Sequence, residues 1–149
     1  MNDIINEDIE LLFEKEAYLI DIFPQTVPAR ADDRYFDVER YFRNNNAVIR
    51  QKHINIILKL SCYYDITVIT QDGTFVGPHT DMLLTALEKC FRRETAFVHI
   101  LLTGKNILIT IDNDDLYITV YNADLPTREL ISKLVCAEGL FFYKAPVIA

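Results

Sequence analysis

The apolar positions of this chain change period several times, and each change marks an element. Ile5, Ile9, Leu12 and Phe13 recur at helical spacing behind Glu7, Asp8 and Glu10, which predicts an amphipathic helix over 3–15. The next stretch, "AYLIDIFPQTVPAR", is short, apolar and punctuated by Pro24 and Pro28. Residues 16–23 admit two readings: the helix continues to Ile22, since no breaker precedes Pro24, or the chain is extended after Tyr18. The extended form is preferred. "DDRYFDVERYFRNNN" predicts a short helix with Tyr35, Val38, Tyr41 and Phe42 on one side and three asparagines at its end. From Ala47 to about Tyr63, one stripe holds Ile49, His53, Ile56, Ile57, Leu60 and Tyr64, while Ile54 and Leu58 make a second apolar side. A helix apolar on two sides belongs between other elements, so this is read as the central helix.

Beyond Asp65 the pattern turns to strands. "ITVIT" is almost wholly β-branched, Asp72-Gly73 supplies a turn, and "TFV" can pair back. Pro78 precedes a predicted helix with Thr80 or Asp81 as N-cap and Leu83, Ala86, Leu87, Cys90 and Phe91 facing inward. "TAFVHILL", "ILITI" and "LYITVYN" are joined by "TGKN" and "DNDD". Loops of about four residues leave no room for a crossover helix, so these three strands are predicted to be consecutive and antiparallel. The first is apolar on both faces apart from His99 and is read as an interior strand. A helix follows from about Pro126 to Ala137, with Leu130, Ile131, Leu134 and Val135 inward and Gly139 at its C′ position. "LFFYK" supplies the last strand. The predicted class is α+β: an antiparallel sheet of about four to six strands, built from a C-terminal three-strand meander, then a helix, then a strand, with helices mainly on one face.

Composition narrows the organisation. The 149 residues are 50% hydrophobic, with nine Phe and eight Tyr, and no Gly/Ser-rich or Pro-rich stretch marks a linker. One globular domain over 1–149 is expected, burying roughly 70% of the surface its unfolded chain exposes. The start, "MNDIINEDIELLFEKE", is acidic where a signal peptide needs a basic region, and runs such as "AFVHILL" fall short of a membrane span. Three cysteines without CxxC spacing fit a reducing compartment. A cytoplasmic protein without a membrane partner is the expectation.

Charge removes another class. The net charge is −7, the wrong sign for a phosphate polyanion. The tight basic group Lys89, Arg92 and Arg93 sits in the last turn of a predicted helix, where cations complement the helix dipole. Arg40, Arg43, Arg50 and Lys52 lie further upstream. No nucleic-acid partner is expected.

Candidate chemistry is sparse. In "SCYYDITVIT", Cys62 lies at a helix C-terminus, where the dipole disfavours thiolate, so it is read as a buried structural residue at a helix-to-strand joint. In "PHTDM", His79 and Asp81 flank Thr80 at a helix start, a setting suited to a general base with an orienting carboxylate. Asp112–Asp115 resembles a cation loop, but the positions that need Gly and Glu hold Tyr117 and Ala123. His53, His79 and His99 lack metal-ligand spacing, and with four glycines there is no phosphate loop or nucleotide fingerprint. Neither a cofactor nor a metal is expected. The leading expectation is a cytosolic interaction module acting through a protein partner or as a homo-oligomer, without a catalytic centre. The alternative is a small enzyme with a site near Thr80 that uses His79 as general base and Asp81 to orient it.

Overall fold

The structure is a computed structural model that describes residues 9–146. Residues 9–12 are helical and 13–15 form a turn, so the expected helix over 3–15 ends early at Leu12, and its part before residue 9 lies outside the described residues. Seven strands follow: β1 (Ala17–Asp21), β2 (Ile66–Thr70), β3 (Gly73–Val76), β4 (Phe97–Leu102), β5 (Ile107–Asp112), β6 (Ile118–Tyr121) and β7 (Phe141–Lys144). Four longer helices accompany them: α1 (Asp32–Asn44), α2 (Ala47–Leu60), α3 (Thr80–Phe91) and α4 (Leu125–Ala137). The class is α+β, as the sequence pattern predicts. The strand count exceeds the expected four to six because both ambiguous segments pair: 17–21 as β1 and 73–76 as β3.

All strands pair antiparallel in the order β3-β2-β4-β5-β6-β1-β7. The β4-β5-β6 meander forms as expected, and β4 is interior between β2 and β5. The first strand in the chain lies far from the second: β1 inserts between β6 and β7, with Leu19 opposite Thr119 on one side and Tyr143 on the other. The β2–β3 hairpin turns at Gln71 and Asp72, one residue earlier than predicted. Gly73 opens β3 at φ +142°, a conformation L side chains rarely adopt.

Alternation divides the sheet into two faces. Val68, Val98, Ile100, Ile109, Ile118 and Val120 turn toward the helices and form the main core with Ile56, Ile57, Leu83, Leu87, Ile131 and Val135. Burying each such side chain contributes roughly 1.5–3 kcal/mol before ordering entropy is counted. Helix α2 packs against both α3 and α4 and is the central helix of that layer. It ends at Leu60, a turn short of Tyr63. On the opposite face, Ile9 and Leu12 pack on Ile69 and Leu108 in a smaller cluster.

The helix ends follow local chemistry. Asp124 caps α4 by accepting from Thr127 N at 3.0 Å, Pro126 sits in the first turn, and Gly139 lies beyond the C-cap at φ +75°. Helix α3 departs from expectation. Its N-cap is His79, with extended backbone and no side-chain cap, so Thr80 and Asp81 are already helical. No helix among the described residues is long and apolar enough to cross a membrane.

Candidate functional site

The residues singled out from sequence scatter. His79 and Asp81 are both exposed at the start of α3. A cavity of about 210 Å³ beside them is lined by Tyr64, Asp65, Pro78 and Thr80 among others, without His79. Cys62 is exposed, which overturns the expectation of a buried thiol. The cause is the early end of α2: Leu60 is its last buried residue, and the turn after it swings Cys62 outward with Sγ 3.7 Å from Leu58 O. Tyr63 is exposed too, while Tyr64 remains inside and bonds Thr127 Oγ1 at 2.9 Å. The basic cluster is partly neutralised: Arg92 pairs with Glu94 at 3.4 Å and Arg93 with Asp114 at 3.3 Å.

Arg50, one of the cations upstream of the basic cluster, is buried. Its Nη2 donates to the carbonyls of Asn113 and Asp115 at 3.2 and 2.8 Å, and its guanidinium lies 4.5 Å from the Phe91 ring centroid. Arg50 therefore holds the backbone of the loop 113–115. Asn113 adds bonds to Thr95 O and Ala96 O. Arg50 Nη1 also faces His53 Nδ1 at 3.3 Å. The helical spacing that makes Ile54 inward does the same for Arg50 four residues earlier, so the signal was present in the sequence. This cluster ties α2 to the β5–β6 loop and is closed to solvent.

The arrangement with the most chemical capacity lies on the other face of the sheet. Ile20 and Phe142 point into the core side, so Leu19, Asp21 and Tyr143 point away from it. The segment after β1 passes through Phe23, Val27 and Pro28 and returns as α1, which lays Tyr35 and Phe36 over this end of the sheet. A cavity of about 380 Å³ remains, walled by Asp21, Phe23, Tyr35, Phe36, Tyr117 and Tyr143. The Phe23 and Tyr35 rings lie 5.9 Å apart and the Tyr35 and Phe36 rings 5.7 Å. Asp21 is held by two donors: Tyr143 Oη reaches Oδ2 at 2.6 Å and Ile22 N reaches Oδ1 at 2.7 Å. A carboxylate has about four acceptor positions, so capacity remains for a ligand.

Among the described residues, Asp21 is the one charged side chain in the cavity wall. Burial pushes the Tyr35 phenol up to about 12, assisted by its hydrogen bond to Glu39 and by the charges of Glu39 and Asp21. Burial and the bond to Asp21 raise Tyr143, and burial with Asp115 and Asp112 raises Tyr117. Each of these phenols thus resists ionising. Among the described residues, no Lys or Arg lines the wall. On the other flank of α1, Tyr41, Phe42, Val48 and Ile49 line a second cavity of about 350 Å³ that includes Lys52.

Comparison with family models, curated proteins and solved structures finds no match for this chain. The site thus rests on its own geometry. Its main residues were not flagged from sequence, because Asp21, Tyr35, Tyr117 and Tyr143 come from four separate segments. The only local hint was the aromatic richness around Pro24 and Pro28. Among the described residues, no three His, Cys, Asp or Glu side chains gather as a metal-binding group. What the walls offer is recognition: flat rings, one oriented carboxylate and three phenols.

Proposed function

We propose that this chain is a cytoplasmic binding module that acts through a protein partner and has no catalytic centre. Helix α1 carries this reading. It has an aromatic-lined cavity on each flank, with Phe36 in one wall and Tyr41 in the other. These side chains are 56% and 61% exposed, and Val48 beside the second cavity is 68% exposed. Aromatic side chains left in water next to concave surfaces are typical of the centres of protein interfaces. The net charge of −7 adds electrostatic steering toward a basic partner. The enzyme alternative, with His79 as base and Asp81 orienting it, has no comparable observation behind it.

The test begins with sedimentation over a wide concentration range, which separates self-association from a distinct partner. Cross-linking in the native host, followed by titration of the purified candidate, then measures direct binding. Phe36→Ser and Tyr41→Ser are the diagnostic variants, because both side chains are exposed and little stability depends on them. Loss of binding by a folded variant supports the reading. Stoichiometric binding that ignores both substitutions removes α1 from the interface and overturns it.

A further inference from the structure

We propose that the cavity between α1 and the open face of the sheet receives the ammonium group of a lysine side chain from a basic segment of the partner. This rests on the binding-module reading and specifies its occupant. Three observations converge on a cation. Five of the wall residues are Phe or Tyr (Phe23, Tyr35, Phe36, Tyr117 and Tyr143), and ring faces attract cations within about 6 Å of their centroids. Asp21 is oriented at the wall by Tyr143 Oη and Ile22 N and keeps acceptor capacity. Glu39 beside Tyr35 is paired with Arg43 at 3.0 Å, so among the described residues Asp21 is the one charged side chain in the wall, with no basic side chain to compete.

Size and access favour a side chain over a large ligand. The volume of about 380 Å³ sits at the small end of ligand cavities, which run from about 300 to 1,000 Å³. Phe36 is both wall and exposed surface, so a bound segment has an apolar place to lie outside while its cation enters. Lysine suits this shape because its methylene stem packs along aromatic walls and its head is a compact charge with three donors. The second cavity on α1 has Lys52 in its wall and lacks this charge complementarity.

The experiment is a heteronuclear NMR titration of the full-length protein with three capped pentapeptides, identical apart from a central lysine, norleucine or glutamate. The lysine peptide is expected to shift the resonances of Asp21, Tyr35, Phe36, Tyr117 and Tyr143 with a Kd in the millimolar range, as suits one side chain. The norleucine and glutamate peptides should bind at least about fivefold more weakly. Asp21→Asn, which keeps an acceptor for Tyr143, should weaken the lysine peptide by about fivefold, and so should Tyr35→Leu. Each variant's amide spectrum reports whether it is folded. Equal binding of norleucine, indifference to Asp21→Asn in a folded variant, or no cavity shifts up to about 10 mM lysine peptide would each overturn the proposal. Tetramethylammonium is the fourth ligand: if it binds where the lysine peptide does not, the site is for a small amine and the peptide proposal fails. If the lysine peptide fails while a purified partner still binds and is lost with Phe36→Ser, the occupant is wrong and the binding-module reading stands. If both fail, that reading falls with it.

Discussion

His53 should make this protein acid-labile well above the carboxylate range. The ring is fully buried beside Phe91, and its Nδ1 faces Arg50 Nη1 at 3.3 Å. A guanidinium can only donate, so Nδ1 must be the acceptor and the neutral ring carries its proton on Nε2. Protonating Nδ1 would set two donors and two positive charges against each other in a buried site. Burial first, and Arg50 second, thus lower the His53 pKa from 6.5 to about 3. A histidine depressed in the folded state contributes its full stability above the unfolded value and loses it as the pH falls toward the folded one. The difference amounts to about 5 kcal/mol in full, of which roughly 2 kcal/mol is lost by about pH 5. That is a large part of a typical domain's stability of about 5–15 kcal/mol.

The assay is urea unfolding at about pH 7.5, 6 and 5, comparing the parent with His53→Gln, whose side-chain oxygen still accepts from Arg50 without titrating. The parent should lose roughly 2 kcal/mol more than the variant across that interval. Subtracting the two removes every other titrating group, including His99, whose pKa burial also lowers. Parallel pH profiles for parent and variant would show that His53 is hydrated or already charged in the folded protein. That result would refute the tautomer argument along with the magnitude.

Other consequences follow from burial and capping. At neutral pH a thiol reagent should modify Cys62 and Cys136, both exposed, and spare Cys90, which burial pushes up to about 11; mass spectrometry of native and unfolded protein distinguishes the sites. Cys62→Ser should change unfolding free energy by no more than about 0.5 kcal/mol, as for other surface substitutions. Asp124→Ala removes the oxygen that accepts from Thr127 N and should cost about 1 kcal/mol in thermal or urea unfolding. Leu12→Ala should cost about 2–5 kcal/mol in urea unfolding, because Leu12 packs on Ile69 and Leu108.

Much of the architecture was legible because it is local. The stripe Ile49–Ile56–Leu60 marks a buried helix from spacing alone, and Pro126 and Gly139 punctuate the last helix through their own backbone chemistry. The meander from Phe97 to Tyr121 follows from loops too short for anything but antiparallel neighbours. Steps that depend on partners distant in sequence were not legible. Residues 17–21 could be read as helix or strand until β6 and β7, far along the chain, supplied hydrogen bonds on both sides. Cys62 was expected inside because an apolar stripe leads into it, but the helix ends at Leu60 and the thiol lies beyond it, exposed. Arg50 falls on the inward side of α2 by spacing, but its partners, the carbonyls of Asn113 and Asp115, meet it only in the fold. The cavity is the extreme case. Asp21, Tyr35, Tyr117 and Tyr143 have no common period or motif, and they meet only because β1 takes its place between β6 and β7 while α1 crosses the same end of the sheet. Periodicity reports which way a side chain faces within its own element, whereas a site assembled across elements exists only once strand order and register are set.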